Sequence, residues 1–121
     1  MFRFEKLEVW KVSILYSKKI YILTEKFPDS ERFGLSSQIK RAALSISSNI
    51  AEGSGSATTK DFCNFLDIAI KSTIETASQL LFAKEMNYIN DENVKQLYEE
   101  SEVLVKRIQS LKQYLKKGNQ K

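Results

Sequence analysis

The sequence predicts an all-α fold, an antiparallel up-down-up-down four-helix bundle in which residues 1–121 form a single domain. Three observations predict it. Glycine and proline are scarce, four and one in 121 residues, too few for a chain of many tight hairpins. Four stretches carry apolar residues at steps of three and four, the period of a helix. The connectors between them are short, which favours antiparallel neighbours. A chain of this length buries about two-thirds of its unfolded surface, enough for one core. Its 42% apolar and 28% charged residues are the composition of a folded protein.

The first helix is predicted over about 5–26. It carries two apolar stripes, Leu7, Trp10, Ile14 and Tyr21 on one, and Val9, Val12, Tyr16, Ile20, Leu23 and Phe27 on its neighbour. Together they are wider than one partner helix requires. Phe27-Pro28-Asp29 ends it, because proline disfavours helical geometry in the residue before it. The second helix, about 35–52, has a core stripe of Leu35, Ile39, Ala42, Ala43, Ile46 and Ile50. A polar row of Arg41, Ser45, Ser48 and Glu52 lies on its other side, and its many Ser and Ala residues allow close approach of another backbone. Gly53 takes the usual glycine position just past the helix end.

The third helix is predicted over about 59–87, capped by Thr58 or Thr59. Phe62, Phe65, Leu66, Ala69, Thr73, Leu80 and Met86 are its core candidates, and Ile70, Ile74, Ala77 and Leu81 form a second apolar edge. Asn90 or Asp91 caps the fourth helix, about 91–117. There Val94, Leu97, Ser101, Leu104, Ile108, Leu111 and Leu115 alternate steps of three and four, a heptad seam. Gly118 follows the seam and is expected to end it. The apolar surplus on helices one and three predicts self-association, since contiguous exposed apolar patches mark interfaces.

Net charge is +4 with no histidine, and the pI is about 9.1. From Val103 onward the chain carries Lys106, Arg107, Lys112, Lys116, Lys117 and Lys121 and no acid, whereas Asp91, Glu92, Glu99, Glu100 and Glu102 precede it. That order suits the helix macrodipole, and it also provides a basic surface. The lone Cys63 sits inside a predicted helix, away from any CxxC or ligand spacing, and is expected to be buried and inert. The first residues lack a signal-peptide h-region and no apolar run approaches the ~20 residues of a span. The expectation is a cytoplasmic protein without a membrane partner.

The stretch from Gly34 to Gly53, GLSSQIKRAALSISSNIAEG, resembles the signature of the 23S rRNA intervening-sequence protein family, also called the four-helix bundle protein family. The opening Phe4-Glu5-Lys6-Leu7-Glu8-Val9-Trp10 is similar to the family pattern. So are Phe27-Pro28 with Glu31 and Phe33-Gly34, and the series Phe62, Phe65, Leu66, Ala69, Ser72 and Glu75. The resemblance covers about residues 2–89 well, and helix four matches mainly in hydrophobic spacing. It implies a four-helix bundle, commonly a ring-like homopentamer, with no established enzymatic activity. Some genes of the family lie within intervening sequences of large-subunit ribosomal RNA genes. A related branch, accessory proteins of diversity-generating retroelements, works with a reverse transcriptase and nucleic acid.

Within the signature, Arg41 and Glu52 are too far apart to pair on one helix, and Glu75 is a candidate partner for Arg41. Gln38, Ser45, Ser48 and Asn49 can hydrogen-bond across a close interface. The block is read as fixing helix register and subunit contacts. Enzymatic activity is not expected. The absent histidine removes the commonest general base and metal ligand, Ser45, Ser47 and Ser48 have no base in prospect, and Gly53-Ser54-Gly55-Ser56 lacks the lysine and strand of a phosphate loop. No cofactor or metal is expected. The sequence favours an oligomeric adaptor for RNA or a nucleoprotein complex, with Lys106, Arg107, Lys112, Lys116 and Lys117 on phosphates and Lys40 and Arg41 secondary. Tyr98 and Tyr114 lie near those charges and can stack on bases. The alternative is a protein-interaction scaffold that touches no nucleic acid.

Overall fold

Leu7 interrupts what the apolar pattern reads as one continuous first helix. In the computed structural model, which describes residues 1–119, a 3₁₀ turn over Arg3–Lys6 precedes α1, Glu8–Thr24, and Leu7 between them is extended. Glu5 folds back to accept the Phe2 backbone N–H at 2.8 Å, and Phe4 meets Trp10 edge-on with centroids 4.9 Å apart. Helix one therefore starts at Glu8 rather than near residue 5. It ends before Lys26 because Phe27 leaves the helical path to pack on Tyr88, 5.8 Å between rings.

Helix α2 spans Leu35–Ser54, α3 spans Thr59–Glu85 and α4 spans Asp91–Asn119. Consecutive helices pack on one another and α4 closes back on α1, so α1 and α3 lie diagonally, as do α2 and α4. The predicted stripe of α2 is buried throughout, and so are Val94, Leu97, Ser101, Leu104 and Ile108 of the α4 seam. Of the two α1 stripes, the one through Val9, Tyr16, Ile20 and Leu23 faces the core, while Ile14 and Tyr21 of the other are exposed. Cys63 is buried, within the core side of α3.

Two polar bonds tie the core across helices. Tyr16 and Ser101 hydroxyls lie 2.6 Å apart in the interior, and Ser101 donates to the Leu97 carbonyl at 2.8 Å, which leaves Tyr16 as donor to Ser101. Burial pushes the Tyr16 phenol up to about 12. Ser17 on α1 donates to the Ala43 carbonyl on α2 at 2.9 Å.

Gly53 does not end α2, as the sequence position implied; it is helical and buried, and Gly55 is the cap. The reason is packing. A Cβ at residue 53 would stand 2.7 Å from Phe65 Cβ and 2.9 Å from Phe62 Cδ1, so only glycine lets α3 come this close. Thr58 caps α3 by accepting the Asp61 N–H at 3.1 Å, and Asn90 caps α4 by accepting that of Asn93 at 2.9 Å. Helix three stops at Glu85 rather than 87, because Asn87 turns left-handed at φ 62°. The Asn87 N–H then reaches the Lys84 carbonyl and the Tyr88 N–H the Ala83 carbonyl, the Schellman closure. Met86, expected in the core, is exposed by the same turn. Helix α4 runs through Gly118, which is tolerated in a helix at a cost of about 1 kcal/mol.

Glu31 organises the connector ahead of α2. One carboxylate oxygen accepts the Leu35 N–H at 3.0 Å and the other the Tyr88 hydroxyl at 2.8 Å. These two bonds hold its carboxyl below the ordinary carboxylate range, the Leu35 N–H contributing most. The connector is thereby fastened to the α3–α4 turn.

Candidate functional site

The signature residues of α2 divide between two roles. Ser45 and Asn49 are half-buried toward α3: the Asn49 amide donates to the Ser45 carbonyl at 2.8 Å and to its hydroxyl at 2.9 Å. Ser72 of α3 donates to the same Ser45 hydroxyl at 3.0 Å. Small side chains and short polar bonds thus zip α2 to α3, with Gly53 at the far end of the same seam. Arg41, Ser48 and Glu52 point to solvent, and Gln38 is exposed beside a shallow cleft shared with Glu31, Gln79 and Phe82. Glu75 is exposed on α3, and among the described residues no ion pair joins it to Arg41. Both side chains face solvent.

The cations named from sequence do not form one patch. Successive residues on a helix are 100° apart. Lys106 therefore flanks the α3–α4 groove with Ile74, Ala77, Tyr98 and Val105. Arg107 flanks the α1–α4 groove with Val12, Leu15 and Val103. Lys40 is half-buried, its ammonium 5.3 Å from the centre of the Tyr21 ring, and with Arg41 it lies on the helix diagonal to α4. Tyr98 and Tyr114 are exposed. Lys121 lies outside the described residues.

Lys112 and Lys116 do come together. They line a cleft of about 370 Å³ between the start of α3 and the last turns of α4, with Thr59, Lys60, Cys63, Asn64 and Asp67. Asp67 pairs with Lys112, which commits that lysine within the chain. Among the described residues no acid lies in ion-pair range of Lys60 or Lys116. Lys60 was missed in the sequence, although the signal was there. The α3–α4 turn centres on Tyr88, so Lys60, 28 residues before it, must face Lys116, 28 after.

The surplus apolar surface expected of helices one and three is on the outside. Ile14, Leu15, Tyr21 and Ile22 cover the solvent side of α1, with Leu15 61% and Ile22 55% exposed. Beside them, Val12 and Val103 line an open α1–α4 groove of about 540 Å³ floored by Tyr16. On α3, Ile74, Leu81 and Phe82 are exposed. Among the described residues no group of three His, Cys, Asp or Glu is placed to hold a metal ion. None of the described helices is long and apolar enough to cross a membrane.

Residues 5–110 match the family model described as 23S rRNA-intervening sequence protein. The fold matches the crystal structure of a protein of unknown function from the S23 ribosomal protein family of Bacteroides thetaiotaomicron, with a TM-score of 0.80 and 28% identity. That match covers 87% of this chain and 95% of the other. No curated protein matches the chain.

Proposed function

The chain belongs to the 23S rRNA-intervening sequence protein family, and from that premise we propose that it is a cytoplasmic, non-enzymatic adaptor that assembles with copies of itself and binds RNA or a nucleoprotein complex. The observation that carries the reading is the segregation of its surface. Apolar side chains collect on the outer side of α1 and on α3, two helices on diagonal corners of the bundle. Acids collect on the first half of α4, and cations without acids on its second half.

Two apolar faces on different sides suit a head-to-tail contact, in which one face of a copy meets the other face of the next. Such contacts close into rings when the rotation per copy allows. Five copies is the number expected from the family resemblance. In a closed assembly each basic half-helix repeats, and phosphate contacts that are weak singly add together. The exposed side chains of Arg41, Glu52 and Glu75 form no ion pair among the described residues and suit contacts between copies.

The test is the solution mass by sedimentation velocity, with and without a fluorescein-labelled RNA stem-loop, at low and at moderate salt. The reading expects one discrete oligomer that co-sediments with the RNA at low salt and releases it as salt rises. A discrete oligomer indifferent to RNA at both salts refutes the nucleic-acid half and favours the protein-scaffold alternative. A monomer refutes the assembly half.

A further inference from the structure

We propose that the cleft between the first turns of α3 and the last turns of α4 is a phosphodiester site, and that Lys60 and Lys116 are the residues that bind the anion. The inference rests on the nucleic-acid reading above and assigns that activity to one place on the bundle. Five helix-four and two helix-two cations were in contention; geometry separates them. Lys106 and Arg107 diverge onto grooves on either side of α4, and each shares its groove with acids, Glu102 in one and Glu99 and Glu100 in the other. Lys40 is turned onto Tyr21. Lys60, Lys112 and Lys116, from two helices, line one cleft together.

Charge and shape in the cleft both suit a phosphate. Its lining carries three lysines and one acid. Asp67 is spent on Lys112, which leaves two net positive charges. Asp61, the nearest other acid in sequence, is exposed and does not line the cleft. Lys60 and Lys116 are exposed, so their ammonium groups are hydrated and free to exchange water for phosphate oxygens. The Thr59 hydroxyl and Asn64 amide supply neutral donors on the same wall. At about 370 Å³ the cleft falls in the size range of small-ligand sites and admits a phosphodiester with its adjoining sugars. No aromatic ring lines it, so it grips backbone and leaves sequence unread.

Asp67 acts as a brake in this arrangement. It holds the half-buried Lys112 against α3 and cancels its charge, so its removal should strengthen binding.

The experiment is fluorescence anisotropy of the intact protein with a labelled RNA stem-loop across a salt series. Four proteins are compared: the parent, Lys60→Gln/Lys116→Gln, the charge-matched control Lys18→Gln/Lys95→Gln at exposed positions away from the cleft, and Asp67→Asn. The site predicts that the Lys60/Lys116 variant binds about tenfold more weakly at low salt, with the logarithmic salt slope reduced by about two per copy engaged. The control should lose about threefold or less. Asp67→Asn should bind about threefold more tightly, with a steeper slope. A parent that binds RNA and a Lys60/Lys116 variant that matches it overturn the site and leave the proposed function standing. A parent that binds no RNA at any salt overturns both. Competition with inorganic phosphate distinguishes the sources of the anion: displacement of RNA only at high phosphate, in step with ionic strength, supports a nucleic-acid backbone. Lys60- and Lys116-dependent displacement by dilute phosphate would overturn it in favour of a free-phosphate site.

Discussion

Replacing Gly53 by alanine puts the close approach of α2 and α3 to a quantitative test. The added Cβ would sit 2.7 Å from Phe65 Cβ and 2.9 Å from Phe62 Cδ1. Both the new atom and Phe65 Cβ are fixed to backbone, so no rotamer change relieves their contact; the helices must part. Overpacking of a filled interior costs about 1–3 kcal/mol, and a clash between two backbone-anchored carbons belongs at the upper end. Against this, alanine is the better helix former by about 1 kcal/mol. The net expectation is a loss of about 2 kcal/mol, or about 8 °C in Tm for a chain of this size. Gly118 supplies the control, since nothing lies within 4 Å of a Cβ added there. Gly118→Ala should stabilise by up to about 1 kcal/mol. Thermal and urea unfolding, followed by far-UV circular dichroism at one fixed protein concentration, reads both. A Gly53→Ala protein as stable as the parent, or moved in the same direction as Gly118→Ala, would refute the close-approach argument.

Three further outcomes follow, two from polar bonds and one from a backbone conformation. Tyr16→Phe removes the interior hydroxyl pair and should cost about 1 kcal/mol at neutral pH by urea unfolding. Because the folded phenol titrates at about 12 against 10 in the open chain, the parent keeps in full below pH 10 the stability that goes with a protonated Tyr16, and sheds it as pH rises toward 12. It should lose up to about 2–3 kcal/mol as pH rises from 10 to 12, and Tyr16→Phe should lack that part of the alkaline decline. Glu31 titrates below its ordinary value of 4.5, so its contribution is present above that pH and is lost as pH falls below it; Glu31→Gln should flatten the acid limb of a Tm-against-pH curve. Asn87→Gly relieves a left-handed residue and should raise stability by up to about 1 kcal/mol, measured by the urea midpoint.

Periodicity carried the architecture because each helix buries one stripe, and a stripe is a local property of the chain. The α2 stripe from Leu35 to Ile50 and the α4 seam from Val94 to Ile108 were readable for that reason. Which of two stripes on α1 faces inward was not, since both have the same period and only the positions of α2 and α4 choose between them. Gly53 looked like an ordinary helix end because its constraint comes from Phe62 and Phe65, residues of another helix. Tyr16 and Ser101 are 85 residues apart, and no local pattern links them. The basic surface was legible in composition but not in shape. A list of lysines does not tell which way each one leaves the helix. Nor does it tell that Asp67 takes up Lys112, or that Lys60 completes the group. The Arg41–Glu75 pairing was read from charge and motif position, for a neighbouring helix or another copy; among the described residues no such ion pair forms within one copy.

Self-association through α1 is the central claim, and one comparison tests it most directly. Sedimentation equilibrium of the parent is set beside that of Leu15→Ser/Ile22→Ser, in which two exposed side chains are replaced without altering charge. Both positions lie outside the core, so the helical circular dichroism should be unchanged. The parent should be a discrete oligomer and the variant a folded monomer. A parent that is monomeric at every concentration, or a variant with the parent's mass, would contradict it.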